Sequence, residues 1–247
     1  MRFLPASDLV GAPSAGFSTR VGGSSTGRYE SLNLGERWGD EPGRVQQNRR
    51  LLASDAGFDL ARLTFARQVH GATCLVVDGR SPGEVAAAEA DALLCTEPGR
   101  AIGVFTADCL PILLGDGAGR VAVAHAGWRG TVAGVAAAAV RALREAGAAP
   151  GALRAVLGPC IGPCCFEVGE EVATEFDRVA PAAVLREAGR KAHVDLRAAN
   201  ATLLEAADVR RVTVVPRCTV CEAESFFSYR RDGAGIGQML SFVVAGR

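Results

Sequence analysis

Four residues in this chain have the types and spacing for chemistry: Asp108 and Cys109 in "TADC", His125 in "AHAGWRG" and His70 in "QVHG". The 247 residues hold only three histidines, so two of them standing before small-residue turns narrow the search. Two imidazoles and a thiolate are the donor set of a three-ligand zinc centre, and an open fourth position is the catalytic form of that metal. The same set also describes a blue-copper site. A complete multicopper oxidase needs many more histidines than three, which argues against copper. The bland alternative is a small buried thiol and a satisfied core histidine, because free cysteine is among the most buried residue types. An acid beside the thiol, and glycines after His70 and His125 that let a ligand approach the backbone, favour the chemical reading.

Short apolar runs must bring these residues together. "PILLGD" and "VAVAHA" predict a hairpin over a four-residue turn, Gly117 to Arg120. Asp116 then faces Val121, His125 faces Ile112, and Cys109 lies opposite Trp128. Cys109 and His125 are thus three positions apart along the ladder, roughly 10 Å at 3.4 Å per residue. Side chains and a bend before Pro111 close that gap. "LTFARQVHGATCLVVD" predicts two strands joined around His70 and Gly71. One helix is expected through "EPGRVQQNRRLLASDAGF", stopped at Gly57, and another from Thr131 to about Glu145. Residues 16–35, dense in Gly, Ser and Asn, read as a long ordered loop of the kind that carries function. Strands and helices alternate irregularly, which predicts one α/β domain over residues 1–247 with a mixed sheet. No GxGxxG or GxxxxGK[ST] run follows a strand, so nothing points to a dinucleotide or P-loop site.

The totals exclude several function classes. Twenty-seven basic and 27 acidic residues give zero formal charge with no long run of like charge, so the totals give no support for a basic face for nucleic acid. The N-terminal stretch lacks the apolar core of a signal peptide, and no run approaches a bilayer span. The chain is therefore expected to be cytoplasmic, to meet neither nucleic acid nor membrane, and to act as a monomer or homodimer. In such a chain the eight cysteines are expected as reduced thiols, metal ligands or a nucleophile rather than as disulfides.

Other candidates carry a weaker signal. Cys160, Cys164 and Cys165, with Cys218 and Cys221, offer a structural zinc site, a redox pair, or reduced thiols lining a loop near the site. "FFSYRRDG" sets Arg230 and Arg231 beside an aromatic cluster, either as an anion clamp or as a surface pair with Asp232. Arg129 stands in the turn that opens a helix, where free N–H groups favour anions, so phosphate is a reasonable ligand. His193, inside "HVDL", is expected to be structural.

Taken in order, "GFSTRVGGSS", "QVHG", "ADALL", "TADCLPILL", "AHAGWRG", "GPCIGPCCFEVG" and "CTVC" with "FFSYRRDG" resemble the YfiH family, labelled laccase-like or polyphenol oxidoreductase. The resemblance covers about residues 10–240. It implies an α/β domain of stacked mixed sheets flanked by helices, related in fold to a toxin deamidase with a Cys–His site. It implies one zinc held by His70, Cys109 and His125, the same three residues. It also implies phosphorolysis of adenosine, inosine and methylthioadenosine, with some adenosine deamination. On that reading Arg230 or Arg231, aided by the helix after Arg129, orients phosphate, and Asp108 is a supporting or proton-handling group. The family's DG-x-TGR-like run reads "DGAGIGQ" here and lacks its last arginine. Two rivals stand beside this reading. One is a Cys–His hydrolase editing peptidoglycan precursors, with Cys109 as nucleophile and His125 as base. The other is a non-catalytic zinc-binding scaffold.

Overall fold

The computed structural model describes residues 1–9 and 11–246. In chain order the first elements are β1 (Phe3–Pro5), β2 (Ala15–Ser18), α1 (Pro42–Ala56), β3 (Leu63–Thr64) and β4 (Cys74–Val76). There follow α2 (Pro82–Ala87), β5 (Ala92–Cys95), β6 (Ala101–Thr106), β7 (Leu110–Gly115) and β8 (Val121–Ala126). Next come α3 (Trp128–Val132), α4 (Val135–Glu145), β9 (Arg154–Leu157) and α5 (Glu170–Val179). The last are β10 (Val184–Leu185), β11 (His193–Val194), α6 (Leu196–Ala206), β12 (Arg211–Val214), α7 (Tyr229–Asp232) and β13 (Met239–Val244).

These strands form two main sheets, not the single mixed sheet that the alternation alone predicts. One has the order β1-β2-β13-β6-β3, the other β12-β9-β7-β8-β5-β4, and β10-β11 make a small ribbon. Both main sheets are mixed: β3 runs parallel to β6, β4 to β5 and β9 to β12, while the other pairs are antiparallel. The sheets stack face to face. Leu113, Val121 and Val123 of one meet Phe17, Ile102, Val104 and Val243 of the other in a shared core. The opposite face of the six-stranded sheet, with Ile112, Leu114 and Ala124, is covered by Val140 and Leu143 of α4, Phe176 of α5 and Leu204 of α6. Leu52 of α1 covers Leu240 and Phe242 on the far face of the five-stranded sheet. Strands buried on both faces read as continuous apolar runs, so sequence alternation does not reveal which residues face which layer.

Two local expectations need correction and one is made more specific. The two strands expected on either side of His70 are β3 and β4, and they belong to different sheets, so "QVHG" is a crossing between layers. The helix expected from Thr131 is two, α3 and α4, because Gly134 at φ 84° breaks the ladder between them. The β7–β8 register is shifted by one residue from the expected pairing. Gly115 faces Val121 and Pro111 faces His125, across a five-residue turn. Asp116 belongs to that turn: its carboxylate accepts from the N–H of Ala118 and Arg120, at 2.8 and 3.1 Å. Helix α1 ends as expected, on Gly57 in the left-handed region.

Candidate metal centre and its cavity

The register shift builds the site. Because Pro111 faces His125, the ladder continued outward sets Cys109 opposite Gly127, two positions from His125 rather than three. An even spacing puts Cys109 and His125 on one face of the pleat, whereas an odd one would set them on opposite faces. That face is the one turned toward the second sheet. Cys109 itself stands where the chain leaves β6 in one sheet for β7 in the other. His70 stands in another such crossing, from β3 to β4. The seam between layers thus collects all three residues, and their ligand atoms lie within 4.8 Å of one another. The two imidazoles meet edge to face with centroids 4.8 Å apart.

Asp91, at the head of "ADALL", organises this corner, and sequence reasoning gave it no role. Its buried carboxylate accepts from His125 Nδ1 at 2.8 Å and from the backbone N–H groups of Val69, His70 and Gly71 at 3.1, 2.9 and 2.7 Å. Three successive N–H groups converging on one anion form a nest, and they hold His70 at φ 62°, a conformation that costs a non-glycine residue energy. The bond to Nδ1 leaves His125 Nε2 as the free nitrogen aimed at the centre. An acid opening an apolar run was the available signal. Gln68 completes the corner. Its amide pairs with the backbone N–H and C=O of Phe105 on β6, both at 2.8 Å, and pins "QVHG" to the neighbouring strand end.

Burial alone would push the Cys109 thiol up, but the adjacent imidazoles of His125 and His70 outweigh it and draw the thiol down to about 6. Burial would likewise depress His125, yet Cys109 and Asp91 carry it up to about 9. Without metal, both shifts favour a thiolate beside an imidazolium near neutral pH. Two imidazoles and a low-pKa thiolate, one imidazole buttressed by a carboxylate, fit a divalent cation with one open coordination position. Gly127 is obligatory here, since a Cβ at that position would lie 2.8 Å from Cys109 Sγ and 3.2 Å from His70 Cδ2.

The centre lies at one side of a cavity of about 1040 Å³. Trp38, Phe65, Phe105 and Tyr229 supply aromatic wall, and Arg37, Arg49, Arg67 and Arg230 supply guanidinium groups. Trp38, three residues beyond the Gly/Ser/Asn-rich stretch 16–35, stacks with Tyr229 at 6.0 Å between centroids. Arg230 donates to the carbonyls of Cys165 and Glu167 at 3.0 and 3.1 Å and keeps N–H groups over.

The other expected residues lie elsewhere. Arg231 does not line the cavity. Its guanidinium donates to the carbonyls of Thr219, Val220 and Phe226 and pairs with Asp232, so it ties loops together. Arg129 is exposed and stacks over the Trp128 ring at 4.3 Å, outside the cavity lining. Asp108 borders the cavity, but each carboxylate oxygen already accepts a short bond: Oδ1 from the Thr219 hydroxyl and Oδ2 from the Arg230 N–H, both at 2.6 Å. It positions Arg230 rather than presenting a free base. His193 Nδ1 lies 2.6 Å from the Pro163 carbonyl and helps hold the cysteine-rich loop.

Residues 14–246 match the family described as multi-copper polyphenol oxidoreductase laccase. The chain belongs to this family. It is 43% identical over 226 residues to a purine nucleoside phosphorylase of Streptomyces coelicolor, covering 91% of this chain and 93% of that protein. It is 42% identical over 223 residues to the adenosine deaminase RL5 of an unknown prokaryotic organism, covering 85% of each. Its fold superposes on the crystal structure of Bacillus licheniformis YfiH with a TM-score of 0.89, at 33% identity over 94% of this chain and 92% of the other. Among the described residues no helix is long and apolar enough to cross a membrane.

Proposed function

We propose that this family member is a zinc-dependent purine nucleoside phosphorylase. It cleaves adenosine, inosine or methylthioadenosine with phosphate to give the free base and a sugar 1-phosphate. The observation that carries this reading is the convergence of His70, Cys109 and His125 on a cavity with both aromatic and guanidinium walls. The phosphorylase and deaminase relatives support a nucleoside as occupant. Trp38 and Tyr229 offer ring faces for a purine. Arg230 offers the fork geometry that matches a phosphate oxygen pair. A phosphate oxygen attacks C1′ as the bond to the base nitrogen breaks, and the electron pair leaves with the base. The sugar passes through an oxocarbenium-like state that the anion held at Arg230 stabilises. His70, Cys109 and His125 hold the zinc, which supplies a Lewis acid for a phosphate or water oxygen when bound. Asp91 keeps His125 in its ligating tautomer, and Asp108 holds the backbone of Arg230. Adenosine deamination is a secondary activity of the same centre.

The test is release of base from inosine with and without phosphate. Cys109→Ala is expected to abolish the phosphate-dependent part. Undiminished turnover in that variant sinks the assignment.

A separate observation supports a second reading. Cys109, His125 and Asp91 also form a thiol–imidazole–carboxylate chain, the layout of a Cys–His hydrolase. Chelated protein that hydrolyses substrate without phosphate decides for that reading.

A further inference from the structure

A second group of sulfurs lies outside the centre just described. Cys164 and Cys165 come from the loop after β9, and Cys218 and Cys221 from the loop after β12. Their four Sγ atoms lie within 4.8 Å of one another. Cys164 stands 3.8 Å from Cys218 and 3.7 Å from Cys221, and Cys165 stands 3.5 Å from Cys221. Sulfurs at the corners of a zinc tetrahedron, each about 2.3 Å from the metal, are about 3.8 Å apart. Separations of this size are too long for a disulfide, whose sulfurs are about 2.0 Å apart.

The backbone is arranged for these thiolates. Gly162 donates its N–H to Cys218 Sγ at 3.2 Å, and the N–H groups of Val220 and Cys221 turn toward the same sulfur. The Cys218-x2-Cys221 spacing with such N–H groups is the loop form that structural zinc uses. A Cβ at Gly162 would meet Cys164 Sγ and Cys218 Cβ, both at 3.2 Å. Cys160 is not part of the group: it is buried in the core and its thiol donates to the Ile161 carbonyl.

We propose that Cys164, Cys165, Cys218 and Cys221 bind a second zinc ion as a closed four-thiolate site that is structural, not catalytic. With four protein ligands there is no open position for substrate. The ion would cross-link two loops that hold the cavity-lining residues Asp108 and Arg230. Thr219, between two of the ligands, donates to Asp108, and Arg230 donates to the Cys165 carbonyl. The site neither requires nor supports any particular reaction at the first centre.

The experiment counts metal in chain purified under reducing conditions and loaded with zinc alone. Two equivalents are expected in the wild type, and one each in Cys109→Ala and in the Cys164→Ser, Cys221→Ser double variant. Cobalt loaded into Cys109→Ala should give the strong thiolate-to-metal absorption of a sulfur-only site. This arm decides the matter if the double variant does not fold. One equivalent in the wild type with none in Cys109→Ala overturns the proposal. A Cys165–Cys221 disulfide in the reduced preparation, or cobalt-loaded Cys109→Ala without that absorption, overturns it equally.

Discussion

Asp91→Asn removes one charge and changes almost no volume at the point where the centre is held. The Asp91 Oδ1 atom accepts from His125 Nδ1 and the His70 N–H, and Oδ2 accepts from the N–H groups of Val69 and Gly71. An amide places its oxygen on one side only. If the oxygen keeps His125, the NH2 group faces the two N–H groups of Val69 and Gly71. Two hydrogen bonds to a charged acceptor are lost, each worth about 1.5–3 kcal/mol, so the metal-free fold loses roughly 3–6 kcal/mol. Zinc affinity falls about 10–100-fold, because the outer partner of a ligating histidine sets its orientation and basicity. The pH profile separates the charge from the packing. Burial would raise this carboxyl, but the bonds from His125 and from the Gly71 and Val69 N–H groups outweigh it and hold it below its ordinary value. Its stabilisation is therefore present above the unfolded value of about 3.9 and is lost as pH falls through the lower folded value. Urea unfolding between pH 3 and 7 should show an acid limb in the wild type that is shallower in Asp91→Asn. Chelator competition measures the affinity. A variant that keeps wild-type zinc affinity, denaturation midpoint and acid limb refutes the role given to Asp91.

Other perturbations separate the remaining roles. Gly127→Ala forces a methyl to within 2.8 Å of Cys109 Sγ. It should lower zinc occupancy at least about tenfold while α3 and the hairpin persist by circular dichroism, the cost of displacing a ligand by a fraction of an ångström. Arg230→Ala should raise KM for phosphate with little loss of Tm. Arg231→Ala should do the reverse, lowering stability by about 1–3 kcal/mol through its carbonyl contacts. Equal kinetic effects from the two would contradict their placement. In zinc-free protein, peptide-resolved alkylation of Cys109 should rise through pH 6 and level off by about pH 7.5, since its thiolate forms at about 6. Cys74 and Cys95, pushed by burial to about 12, should stay unmodified over that range.

The three residues that the structure brings together could be picked out of the chain because histidine is scarce. Three histidines, a thiol beside an acid in "TADC" and small-residue turns after His70 and His125 narrowed the choice, and α1 with its Gly57 stop followed from local signals. Tertiary structure alone decided how those residues meet. The one-residue register of β7 on β8 follows from Asp116 closing its turn with its side chain, and it moves Cys109 onto the face of His125. The split into two sheets follows from the seam packing of Leu113 and Val123 on Ile102 and Val104, and it makes the join at "QVHG" a crossing between layers beside the thiol. The roles of Arg230 and Arg231 were beyond the sequence as well, because neighbours in a one-turn helix point to different sides and only the surrounding loops say which side is the cavity. Local pattern fixes what a residue is able to do. Its partners here lie as far as 122 positions away, and the packing of layers selects them.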